Sequence, residues 1–143
     1  MTIEKYTDGG LVLAIVIRKN YQADGIQFFT PNDYSQQLAY MNRPAGYEID
    51  PHVHNEVSRD VKLTQEVLLV RSGRVRVDLY SREKSFLQSV EIVSGDVILL
   101  ADGGHGFTML EDSEMIEIKQ GPYAGDHDKV RFNPASSTEH DIR

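Results

Sequence analysis

The stretch GYEIDPHVHNEVSRDVKLTQEVLLVRSG, residues 46–73, decides the fold class of this chain. Both of its ends are rich in β-favouring residues, and eleven mostly polar residues separate His54 from Glu66. Residues two apart on a strand share a face, so a strand over residues 47–54 would place His52 beside His54. Paired histidines are also common on solvated strand faces. The two histidines alone are therefore consistent both with a metal site and with an ordinary solvated strand face.

Similar β-favouring runs, broken by Gly, Pro, Asn, Asp and Ser, occur on both sides of this stretch. They predict strands at residues 11–17, 25–30, 37–43, 47–54, 66–71, 75–81, 87–93, 96–100, 105–110 and 113–120. We predict hairpins at residues 71–74 and 81–85, and one helical turn near residues 31–34. No stretch of twelve or more residues has the apolar period of a helix. The predicted fold class is therefore all-β, as a sandwich or a barrel.

Length and charge narrow the class of protein further. The 143 residues contain no cysteine, and one domain of this length buries a core without disulfides. The formal net charge of −7, without a Lys/Arg cluster, argues against nucleic acid as a partner. The apolar run at residues 10–17 lacks the basic leader of a targeting signal, so we predict a buried strand there and no membrane association. We expect a cytoplasmic protein.

Two blocks of the sequence carry a family resemblance. The first block has glycine at both ends and two histidines and a glutamate between them, at Gly46, His52, His54, Glu66 and Gly73. The second block, GDVILLADGGH at residues 95–105, ends in His105. The spacing resembles the two motifs of the cupin superfamily, over residues 46 to about 110. It departs from the family pattern in the eleven residues before Glu66, where three or four are usual, and in Ala101, where proline is usual.

The resemblance implies a single-domain cupin, a jelly-roll-like antiparallel β-barrel, with the domain spanning residues 1–143. The barrel would cover about residues 10–122, and a polar C-terminal arm would cover residues 123–143. Because cupins commonly pair through β-strands, a homodimer is also expected.

The resemblance also implies one divalent metal ion bound by His52, His54, Glu66 and His105. The residues agree with this, because Glu66 would share a strand face with Leu68 and Val70, where a carboxylate is costly unless it binds a cation. The alternative is that Glu66 ends the preceding loop in solvent. Imidazole and carboxylate donors suit iron, zinc, manganese or nickel, and the sequence does not choose among them.

Four protein ligands leave open positions on the ion, which favours a catalytic site. We therefore expect a metal-dependent small-molecule enzyme of carbohydrate metabolism, either an oxygenase or a sugar or carbonyl isomerase. The alternative is a non-catalytic metal- or ligand-binding module. No catalytic residue is assigned. The substrate is expected to be polar, with an anionic group as one alternative, and its candidate contacts are Tyr40, Arg43, Arg59, Lys62, Phe107, Glu117 and Lys119. For each of these, core filling or a solvated surface position is the competing interpretation.

Overall fold

The computed structural model describes residues 3–134. Its strands are β1 (Glu4–Asp8), β2 (Leu11–Ile17), β3 (Gly25–Phe28), β4 (Ala39–Asn42), β5 (Glu66–Ser72), β6 (Arg74–Tyr80), β7 (Phe86–Val93), β8 (Val97–Leu100), β9 (Gly104–Met109) and β10 (Glu114–Lys119). One 3₁₀ turn follows at Gly125–Asp128. The all-β prediction is confirmed, and every strand pair is antiparallel. The last part of the predicted arm, residues 135–143, lies outside the described residues.

Two sheets enclose the core, and a third stands beside them. One sheet has the strand order β1-β2-β8-β5-β10, the second has the order β7-β6-β9, and β3 pairs with β4. The alternation of side chains along each strand directs apolar residues from both large sheets towards a shared interior. That core consists of Leu13, Ala14, Val16, Leu68, Val70, Val75, Val77, Leu79, Val90, Ile92, Ile98 and Leu100.

Nine of the ten predicted strands are present, with ends that differ by a few residues. The prediction of a strand over residues 47–54 is wrong, because the described chain has no strand between β4 and β5. All residues from 41 to 63 are exposed. Pro51 lacks the N–H that a strand interior needs, which weakens the run that the alternation suggested. Strand β1 was not predicted, because its residues are mostly polar, and it pairs with β2 at a sheet edge.

The turn at Gly73 transfers the chain from one large sheet to the other. Gly73 has φ +91°, and a Cβ there would collide with the backbone of Asp112. The strands on its two sides, β5 and β6, belong to different sheets. The predicted turn is therefore present, but the predicted hairpin at residues 71–74 is wrong. The hairpin at residues 81–85 is confirmed, because β6 pairs with β7.

Asp96 holds the turn between β7 and β8 against the end of β2. Its side chain is buried, at 2% exposure. The carboxylate accepts hydrogen bonds from the backbone N–H groups of Lys19 and Val93, both at 2.8 Å, and from Nη1 of Arg18 at 3.0 Å. Three donors thus satisfy a charge that would otherwise be costly to bury.

The two large sheets do not close into a barrel within residues 3–134. There β9 pairs only with β6, and β10 pairs only with β5, so each strand leaves one edge free. In the same part of the chain, no helix is long and apolar enough to cross a membrane. The sandwich is open between β9 and β10, and this opening holds the site described next.

Candidate functional site

Glu66 begins β5 on the face that lines the core. Leu68 and Val70, two and four residues further along the strand, are both buried, as the alternation predicted. The side chain of Glu66 is only 14% exposed. The carboxylate therefore stands at the rim of an apolar interior, where it needs a cationic or hydrogen-bonding partner.

His105 reaches the same place from the other sheet. Gly103 takes φ +71° at the turn before β9, which only glycine adopts readily, and the chain then pairs along β6 with His105 opposite Leu79. Nε2 of His105 lies 3.5 Å from Oε1 of Glu66. The turn is anchored from outside by Arg82, whose guanidinium donates two hydrogen bonds to Asp102, at 2.9 and 2.6 Å.

Glu117 and Lys119 complete this cluster from β10. In the β5–β10 register, Glu117 lies opposite Leu68 and Lys119 lies opposite Glu66, so both are on the inner face rather than outside. Nζ of Lys119 lies 3.8 Å from Oε1 of Glu117. The carboxyl groups of Glu66 and Glu117 lie close enough for each to shift the pKa of the other.

The contacts within this cluster shift its carboxyl pKa values in opposite directions. The hydrogen bond with His105 lowers the pKa of Glu66, since it stabilises the carboxylate. The hydrogen bond with Glu66 raises the pKa of Glu117, because two neighbouring carboxylates repel each other. The pair therefore favours one proton, or another cation, between its oxygens.

A cavity of about 1170 Å³ opens over this cluster. Its wall includes Glu66, His105, Phe107, Glu117 and Lys119 together with residues 120–134. The ring of Phe107 lies 5.6 Å from that of His105, between centroids. A space of this size accommodates a small molecule beside the two carboxyl groups and the imidazole.

His52 and His54 lie elsewhere, in the exposed segment between β4 and β5. Their ring centroids are 5.2 Å apart, and Nδ1 of His52 lies 2.8 Å from the carbonyl oxygen of Asp50. Neither histidine lines the cavity. The predicted set is thus present as two pairs, His52 with His54 and Glu66 with His105. Among residues 3–134, no three His, Asp or Glu side chains are grouped so that they could hold one metal ion.

The predicted substrate contacts are divided in the same way. Lys62 and Phe107 line the cavity with Glu117 and Lys119. Tyr40, Arg43 and Arg59 do not line it. Tyr40 packs edge-on against Tyr21, and the Arg43 guanidinium lies 4.4 Å from the ring centroid of Tyr47.

The C-terminal segment forms one wall of the cavity, which the sequence analysis did not anticipate. Two contacts hold this segment in place. Asp128 contacts Thr64, and the ring of Phe132 packs on that of Tyr80, with ring centroids 4.9 Å apart. Phe132 also lies directly over Gly104, where a side chain would crowd it. The only sequence signal was the run KVRF at residues 129–132, which alternates basic and apolar side chains inside a polar tail.

Comparison with known proteins finds no matching protein-family model, curated protein or solved structure.

Proposed function

We propose that this chain is a metal-dependent enzyme that acts on a small polar molecule in the cavity between β9 and β10. The proposed ligands are Glu66, His105, His52 and His54. The observation that carries the proposal is the contact between Glu66 and His105, which meet from β5 and β9 at the wall of a cavity. A jelly-roll barrel of the cupin type is part of the same proposal, and its support is the two sequence motifs.

The carboxyl pair is the physical reason to propose a cation. Glu66 stands at the edge of the core, and the carboxyl group of Glu117 lies close enough to affect the pKa of Glu66. Two ionised carboxylates in such a place repel each other, and neither is fully hydrated. A proton or a metal ion between the two carboxylates would remove this repulsion. The available donors, imidazole nitrogen and carboxylate oxygen, are those that divalent transition metals accept.

The segment at residues 43–65 supplies the other two ligands in this proposal. It is tethered at one end to β4 and at the other to Glu66 itself. The free edge of β9 carries His105, and Phe107 and Met109 on that strand are 37% and 46% exposed. An uncharged, partly apolar edge is one that proteins usually cover. If residues 47–54 move towards that edge when metal binds, His52 and His54 reach the side of His105, and no strand pairing is required.

A divalent metal in this site would act as a Lewis acid on a substrate carbonyl or hydroxyl group. The protein's own side chains then determine which reaction the bound substrate undergoes. Glu117 is not a proposed ligand and lies at the cavity wall on the strand next to Glu66, so it suits proton transfer to or from a bound substrate. Phe107 supplies an apolar surface beside His105 on one side of the site. Proton transfer at a carbonyl compound is the chemistry of an isomerase, whereas an oxygenase in the same cavity would need a redox-active metal such as iron.

The alternative is a non-catalytic metal-binding module. The position of His52 and His54 on an exposed segment favours it, because a segment that moves when metal binds can report metal to a partner. Turnover separates the two functions. An oxygenase consumes O₂ in proportion to its iron content, an isomerase interconverts sugars or related carbonyl compounds without O₂, and the module does neither.

Metal content tests the ligand set directly. We expect one equivalent of metal in the wild-type protein and less than a tenth of an equivalent in His52→Ala and in His105→Ala, by elemental analysis after gel filtration. Circular dichroism should show that both variants keep their strands. His127→Ala is the matched control and should retain the metal, since His127 is not a proposed ligand. Full metal content in both ligand variants would overturn the assignment.

A further inference from the structure

Lys129 and Arg131 are held beside the cavity by the residues on either side of them. Asp128 contacts Thr64 immediately before β5, and Phe132 packs on Tyr80 at the end of β6. The three residues between these anchors all line the cavity. Lys129 adopts an extended backbone, with φ −141° and ψ 154°. The two basic side chains thus stand on a short strap that is fixed at both ends.

Most acidic side chains in the cavity wall already have a polar contact with another group of the protein. They are Glu66, Asp78, Asp102, Glu117, Asp126 and Asp128. Asp78 accepts hydrogen bonds from Arg76 and Ser89, and Asp102 accepts two from Arg82. The contacts of Glu66, Glu117 and Asp128 are those given above. Only Asp126 has no polar partner identified among residues 3–134.

The basic side chains of the strap, Lys129 and Arg131, differ from these acidic side chains in their contacts. Neither Lys129 nor Arg131 has a salt bridge or side-chain hydrogen bond within the described part of the chain. Lys129 nevertheless lies close enough to Glu117 for its charge to act on that carboxyl group. Arg131 offers a planar fork of donors, and Lys129 offers a mobile point charge, a combination suited to an oxyanion.

We propose that Lys129 and Arg131 bind an anionic group of the substrate, a carboxylate or a phosphate. This rests on the proposed function, because it assigns the far end of the same substrate. The polar end of the molecule then faces Glu66 and His105, and its anionic end faces the strap. The substrate class is therefore a small carbonyl or hydroxyl compound that also carries one oxyanion.

A titration of the isotopically labelled full chain with inorganic sulfate and with acetate tests the site. Sulfate stands in for phosphate and acetate for a carboxylate, and each is added to metal-free and to metal-loaded protein. We expect the NMR chemical shifts of the backbone amides at residues 129–132 to change as the anion is added. The dissociation constants should be at least tenfold larger in the double variant Lys129→Ala/Arg131→Ala. A stronger response to sulfate than to acetate indicates a phosphate substrate, and the reverse indicates a carboxylate.

The matched control is Lys5→Ala/Arg71→Ala, which removes the same charge from exposed positions on other strands. Equal weakening in both double variants, or shifts spread over the whole surface, would overturn the anion site. The metal content of the strap variant should stay at one equivalent. Because the titration of metal-free protein does not involve the metal, a failed metal assignment leaves this result interpretable by itself.

Discussion

Replacing Glu66 by glutamine should change the stability of the metal-free protein little and remove most of the stabilisation that metal provides. In the metal-free protein the change alters the 3.5 Å contact with His105, and a partly exposed polar contact of this kind contributes up to about 1 kcal/mol. It also removes the repulsion from Glu117 and the cost of holding a charge at the edge of the core. These contributions have opposite signs, so the free energy of unfolding should change by less than about 1 kcal/mol.

In the metal-loaded wild-type protein, binding should add about 2.7 kcal/mol at a metal concentration one hundred times the dissociation constant. For a chain of 143 residues this corresponds to a rise in Tm of about 8 °C. Glu66→Gln removes one of the four proposed ligands, so we expect its rise in Tm at the same metal concentration to fall below about 3 °C.

Differential scanning calorimetry with and without metal measures both quantities. Asp60→Asn is the control, because it removes a carboxylate from an exposed ion pair with Lys62 in the neighbouring segment. It should leave the metal-dependent rise unchanged. A full rise of about 8 °C in Glu66→Gln would refute the argument that this carboxylate binds the ion.

Two further predictions concern the frame of the site. Asp96→Ala leaves two backbone N–H groups and the Arg18 guanidinium without their acceptor, so it should lower the free energy of unfolding by about 3–5 kcal/mol in urea titrations. Asp96→Asn, which can still accept, should lose less, and an equal loss would contradict this account. The Arg82 hydrogen bonds lower the pKa of Asp102, so its stabilising contribution is complete above the unfolded-state pKa and is lost as pH falls through the lower folded-state pKa. Arg82→Ala should therefore make Tm fall less steeply as pH is lowered below 4. The same pH dependence of Tm in the wild-type protein and in Arg82→Ala would contradict the stabilisation of ionised Asp102 by Arg82.

The sequence predicted the strands whose apolar residues alternate, because that alternation is a direct result of burying one face. It also placed Glu66 correctly on the core face, since Leu68 and Val70 belong to the same strand. It failed at residues 47–54, where the alternation is present but no neighbouring strand pairs with it. Pairing is a long-range property, and local residue preference contains little information about it.

The same limit explains the parts of the site that were missed. Lys129 and Arg131 reach the cavity through two distant contacts, one with Thr64 and one between Phe132 and Tyr80. Neither contact has a local pattern in the sequence. The turn at Gly73 was visible as a glycine between two apolar runs, but the sheet to which each run belongs depends on partners far along the chain.

The eleven residues between His54 and Glu66 can also be considered as a polymer tether. The entropy lost when a flexible loop is closed grows only with the logarithm of its length. Lengthening a loop from four residues to eleven therefore adds only about 0.9 kcal/mol to the cost of closure. Chain length at this point is nearly neutral for stability. Mutations that insert or delete residues here can alter which molecules are admitted to the cavity while the energetics of the sandwich stay almost the same.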